Sequence, residues 1–154
     1  MDIIQQGVII LGAQGLFKPT IRLHLEEPYL DGKDGDWWMR IGDENIGFWP
    51  ASLFTSLRES ASRVEWGGEV VNLKSDGHHT TTDMGSGYFP QHGYRKASYI
   101  ANIQTVDGSN TLRTPESLQT YSPENSCYDI VLGMNDNSGR WFYYGGPGRN
   151  PNCP

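Results

Sequence analysis

Between Thr20 and Leu25 the chain alternates branched or apolar residues with polar ones, the two-residue period of a strand with one buried face. Asp31-Gly32-Lys33-Asp34-Gly35-Asp36 is dense in turn formers and leads into the bulky, β-prone run Trp37-Trp38-Met39-Arg40-Ile41, so the two read as a hairpin. Gly42-Asp43-Glu44-Asn45 makes the next turn before Ile46-Gly47-Phe48-Trp49, and the pattern predicts a three-stranded meander over residues 20 to 49. Behind Pro50 the spacing changes. Leu53, Phe54, Leu57 and Ala61 recur at three- and four-residue intervals after a proline suited to a first helical turn, which predicts one short helix. Further strands are predicted at residues 63–72, 97–107, 127–133 and 140–144. The turns at residues 74–77, 107–110 and 135–139 punctuate them, since Asn, Asp and Gly tolerate positive φ. Seven or eight short strands with one helix predict an all-β chain folded as an antiparallel β-sandwich. The tail Gly145-Gly146-Pro147-Gly148-Arg149-Asn150-Pro151 cannot form regular structure and is expected to wrap the body, held by Cys153.

Composition narrows the class. At 154 residues, with 36% apolar and 12% aromatic residues, the chain has the size of one ordinary domain and the bulk for one core. No internal repeat, low-complexity tract or linker divides it. Its 19 glycines and nine prolines fit many turns between short strands. A net charge of −6 with no Lys/Arg run argues against nucleic acid as a partner. The apolar run from Val8 to Ala13 falls far short of the ~20 residues that span a bilayer, which argues against a membrane protein. Met1-Asp2-Ile3-Ile4-Gln5-Gln6 lacks the basic start and long apolar stretch of a secretory signal, so either the chain is cytosolic or its true start lies elsewhere. Two cysteines, Cys127 and Cys153, cannot build a disulfide-dense scaffold. One bridge closing the C-terminal segment is their simplest use, and free buried thiols are the alternative.

Without a phosphate loop, a serine elbow or a metal-binding helix, carboxylates are the leading chemical resource. Glu69 stands out because it follows Gly67-Gly68, which allow a bulge or a close backbone approach, and lies among Val64, Trp66, Val70 and Val71. Such a site can house a buried acid, and a second acid nearby lets the pair hold one proton and one charge, the apparatus for activating water. The bland alternative is that Glu69 points outward from an amphipathic strand. Glu65, four residues earlier, is the competing acid unless a bulge breaks their shared face. His78-His79 with Asp83 invites a metal reading, but adjacent histidines on extended chain point to opposite faces and no third histidine lies nearby. Ser86 lacks the Gly-x-Ser-x-Gly context of a nucleophile. Trp37, Trp38 and Trp49 are candidates for stacking on sugar or proline rings, although aromatic residues on alternating strands usually belong to a core.

Three long segments carry a resemblance: Trp66-Gly67-Gly68-Glu69-Val70, then the stretch from His79 to Pro90, then Tyr143-Tyr144-Gly145-Gly146-Pro147-Gly148-Arg149-Asn150-Pro151-Asn152-Cys153. With Trp37-Trp38, Gly47-Phe48-Trp49-Pro50 and Lys96-Ala97-Ser98-Tyr99 in the same order, the chain resembles the neprosin family of plant proteins over essentially its whole length. The resemblance implies a secreted glutamic peptidase domain. It would be a β-sandwich, jelly-roll-like, that cleaves proline-containing peptides at acidic pH with two glutamates and a water. Its location would be extracellular or vacuolar. No metal and no organic cofactor is expected, and the partner is a proline-rich peptide or protein.

By motif, Glu69 matches the second of the family's two catalytic glutamates, and Cys127 with Cys153 match its C-terminal disulfide. Trp66, beside the glycine pair, is the candidate substrate contact. The first glutamate is expected upstream, and Glu26 and Glu27 do not occupy its motif. The resemblance therefore implies the C-terminal part of such a domain, an incomplete sandwich without propeptide or signal peptide, inactive on its own. The alternative function is a non-catalytic sandwich that holds glycan or proline-rich protein on exposed tryptophans.

Overall fold

The computed structural model describes residues 8–12, 21–24, 27–31, 33–41, 44–58, 60–109 and 111–154. Met1 to Gln6, Ala13, Thr20, Leu25, Glu26, Gly32, Gly42, Asp43 and Asn110 lie outside these residues. The fold is all-β with antiparallel sheets, and the described helical residues are single 3-10 turns. No helix of the described residues is long and apolar enough to cross a membrane. The chain forms two compact units.

One unit comprises residues 8–66 and 106–112. Strands β1 (Val8–Gly12) and β2 (Ile21–His24) pair antiparallel, and β1 is flanked on its other side by β6 (Arg63–Gly67). A separate meander joins β3 (Glu27–Leu30), β4 (Trp37–Ile41) and β5 (Glu44–Trp49). The meander expected over residues 20–49 is thus corrected at its first strand. The alternating run at 21–24 pairs with residues 8–12, and Glu27-Pro28-Tyr29-Leu30 takes its place. Pro28 lies on β3, an edge strand, which is where a sheet tolerates proline.

Trp37 and Leu57 form the buried centre of this unit, with Leu30, Met39, Trp49, Phe54, Ala61 and Val64 packed around them. The expected short helix is reduced to one 3-10 turn, Ala51–Leu53, with Pro50 as its N-cap. Phe54 then turns extended (φ −114°, ψ 143°), and the carbonyl of Leu57 accepts a hydrogen bond from the Trp37 indole N–H at 2.7 Å. A continuing helix would have given that carbonyl to the amide four residues on. Trp37 is 4% exposed and Trp49 packs on the same core, so these rings hold the unit together and are not the exposed stacking platform of the glycan-binding alternative.

The other unit is described over residues 67–105 and 113–154. Its sheet runs β10 (Asp129–Asn135), β11 (Gly139–Gly145), β7 (Ser98–Ile100), all antiparallel. Asn135 closes the β10–β11 turn by accepting from the amides of Asn137 (3.0 Å) and Ser138 (2.7 Å). Alternation along β11 buries Phe142 and Tyr144 on one face. A two-stranded ribbon pairs β8 (Thr105–Val106) with β9 (Leu112–Arg113), of which Val106 and Leu112 belong to the first unit.

Tyr144 is 2% exposed, and burial pushes its phenol up to about 12 from 10.0. The unfolded chain ionises this phenol first, so stability present below pH 10 is lost as pH rises to about 12. Thermal melting across that range is expected to fall in the parent and to fall less steeply in Tyr144→Phe.

Candidate active site

The strand expected over residues 63–72 ends at Gly67. Beyond it the side chains of the unit that begins there alternate inward and outward. Gly68 presses its backbone on Met84 and Tyr144: a Cβ here would stand 2.7 Å from Met84 Cγ and 2.9 Å from Tyr144 Cε2. The close approach anticipated from the glycine pair is therefore made at Gly68. Val70 packs against the buried cluster of Cys127, Tyr128 and Cys153. The Asn72 side-chain oxygen accepts from the amides of Thr80 (3.1 Å) and Lys74 (3.2 Å). Glu69 lies between two inward positions and is itself exposed.

This corrects the expectation of a carboxyl withheld from solvent. The inward pair is Gly68 and Val70, so strict alternation turns Glu69 out. The residues on either side of it are held, while Glu69 itself is exposed. Trp66 and Glu65 lie in the other unit on β6, both half-buried, and Glu65 pairs there with Arg63.

The base under Glu69 is made by the segments that carry the motifs. Met84 and Gly146 form an antiparallel bridge, with the Met84 amide donating to the Gly146 carbonyl at 2.9 Å. The Arg149 amide donates to the Thr80 carbonyl at 2.8 Å, and the His79 amide to the Pro154 carbonyl at 3.1 Å. Tyr128 donates its hydroxyl to the Thr82 carbonyl at 2.7 Å, and burial, with the charges of Asp83 and Glu124, raises its pKa. Cys127 and Cys153 are joined in a disulfide. The tail thus lies along residues 79–84, as the wrapped C-terminus required.

Gly148 fixes this contact. Its φ is +69°, and a Cβ would stand 2.5 Å from the Thr80 carbonyl oxygen and 2.8 Å from that of Thr82. Both faults are in backbone, which cannot swing aside. Gly148→Ala is expected to cost about 2 kcal/mol, read by chemical denaturation of parent and variant.

A polar cluster beside the disulfide had no signal in the sequence, because Glu124 is far along the chain from Lys74 and His79. His79, 6% exposed, has Nδ1 2.9 Å from the Thr80 carbonyl oxygen and Nε2 2.7 Å from a Glu124 oxygen. The other Glu124 oxygen lies 3.1 Å from Lys74 Nζ. The Lys74 ammonium, with His79 helping, holds the Glu124 carboxyl below the usual range. These three side chains line a shallow cleft of about 270 Å³ with Asn125, Ser126 and Pro154. His78 is exposed while His79 is buried, the opposite faces expected of neighbours. Ligand atoms of His79, Cys127 and Cys153 lie within 4.8 Å of one another, but the two sulfurs are bonded together and are not thiolate ligands. Ser86 Oγ accepts from the Tyr88 amide at 3.5 Å.

Compared with known families, residues 20–147 match the family model described as Neprosin. The match takes in Glu69, the 79–90 segment, Cys127 and the start of the glycine-rich tail.

Proposed function

The chain belongs to the Neprosin family, and from that membership we propose that it forms part of a glutamic peptidase domain that hydrolyses proline-containing peptides with carboxylate-activated water. Glu69 supplies one carboxylate of the pair. One glutamate takes a proton from water as general base, and the other protonates the leaving amine as general acid. Two close carboxylates cannot both ionise freely, so the pair holds one proton between them and keeps both roles filled. The observation that carries this reading is the family match over residues 20–147, which takes in Glu69; the structure sets Glu69 exposed on a segment anchored by Gly68 and Val70. An anchored, exposed carboxylate is reachable by water and by a peptide and loses little freedom on meeting either.

Trp66, three residues earlier in the chain, is the proposed aromatic contact for the substrate's proline ring. The family's first glutamate has no matching motif in this chain, so the 154 residues alone are proposed to turn over little. The working compartment is extracellular or vacuolar, which the Cys127–Cys153 bridge supports because disulfides persist in oxidising surroundings.

The test uses paired peptides that differ only in proline or alanine, incubated at acidic pH and mapped by mass spectrometry. A longer protein carrying both glutamates is expected to cut only the proline peptide, and the 154-residue chain to cut it far more slowly. Equal cutting of both peptides would contradict the substrate class.

A further inference from the structure

A buried imidazole stands beside the bridge that fastens the tail. Ligating atoms of His79, Cys127 and Cys153 lie within 4.8 Å of one another, and all three residues are buried. Each is placed by backbone contacts that do not pass through the S–S bond. The Cys127 amide donates to the Glu124 carbonyl at 2.9 Å, and Asn150 and Cys153 exchange two amide-to-carbonyl bonds of 2.9 Å. The Asn150 side chain ties these two turns together by donating to the Ser126 carbonyl at 2.8 Å. The His79 amide donates to the Pro154 carbonyl at 3.1 Å. All three residues also line the cleft, so the group has an entrance from solvent.

We propose that, once the disulfide is reduced, Cys127, Cys153 and His79 bind a zinc ion that takes over the fastening of the tail. A dithiol reductant delivers two electrons and two protons to the S–S bond, which becomes two thiols while the reductant closes to its own disulfide. Zinc then displaces both thiol protons to solvent, and two Zn–S bonds and one Zn–N bond form. Tetrahedral bonds of about 2.3 Å to sulfur and about 2.0 Å to nitrogen set the sulfurs about 3.8 Å apart and each about 3.5 Å from the nitrogen. Those separations fall inside the 4.8 Å that already encloses the group, so small side-chain rotations suffice. The ring nitrogen that does not take the metal keeps an acceptor: the Thr80 carbonyl 2.9 Å from Nδ1, or a Glu124 oxygen 2.7 Å from Nε2. Such an outer partner fixes the orientation of a metal-bound imidazole. The fourth position opens on the cleft, to water. Two thiolates and an imidazole favour zinc over calcium or magnesium, which take oxygen ligands.

The probe is zinc, with cobalt(II) as its coloured stand-in, added to the 154-residue chain after reduction by a dithiol and removal of the dithiol without air. One cobalt per chain is expected, with the visible bands of a tetrahedral ion and a thiolate-to-cobalt charge-transfer band, and zinc should bleach both. The oxidised parent should show neither. Zinc should also raise the melting temperature of the reduced parent and leave that of the oxidised parent unchanged, because only a site formed in the folded chain stabilises it on binding. His79→Gln is expected to weaken zinc binding to the reduced chain roughly a hundredfold, one ligand's share of the binding free energy. Should that variant fail to fold with its disulfide intact, the melting gain of the reduced parent decides. The proposal is overturned if the reduced parent binds no metal, if zinc leaves its melting unchanged, if the oxidised parent binds as tightly, or if a folded His79→Gln does.

Discussion

Replacing Cys127 and Cys153 together by alanine is expected to lower the stability of their unit by about 3.5 kcal/mol. The bridge spans 26 residues, and the chain-entropy relation for a loop of that length yields this figure. The loss is local in origin but spreads along named contacts. Cys127 is 1% and Cys153 6% exposed, and Val70 and Met84 pack against them. The bridge also keeps the tail where the Arg149 amide reaches the Thr80 carbonyl and the His79 amide reaches that of Pro154. Urea denaturation of parent and double variant measures the effect. A difference under about 1 kcal/mol would mean that the tail holds its place without the bridge. Reduction of the parent by a dithiol should reproduce the variant.

Much of the strand content was legible because its signals are local. Turn-rich stretches at 74–77 and 135–139 sit where the turns are, with Lys74 and Asp76 at positive φ and Asn135 capping its own turn. Strand partners were less legible, because pairing is decided between distant segments. Residues 21–24 look equally suited to the meander and to β1, and only the tertiary fold chooses. Pro28 hid β3, since a proline argues against a central strand but not against an edge. The apolar spacing at Phe54, Leu57 and Ala61 did mark core positions, but the Trp37 indole took the Leu57 carbonyl that a helix would have used.

The candidate site divides in the same way. The value of Gly68 as a point of close approach follows from glycine alone, whereas the outward turn of Glu69 depends on which of its neighbours the core accepts. His79, Lys74 and Glu124 come together only through the path of the chain past the disulfide. Nothing in the spacing of 74, 79 and 124 announces them.

Glu69→Gln bears on the chemistry itself. Glutamine keeps the size and hydrogen-bonding reach of glutamate but has no basic oxygen to take a proton from water and no acidic proton to give a leaving amine. Because Glu69 is exposed and its segment is anchored through Gly68 and Val70, the substitution should leave the chain folded. The rate should instead fall by about a thousandfold, which corresponds to about 4 kcal/mol of transition-state stabilisation. The decisive measurement is kcat/KM for a proline-containing peptide at acidic pH, in a protein carrying both family glutamates, with and without this one change. A loss of about a thousandfold in a folded variant is the predicted result, and an undiminished rate would contradict the account.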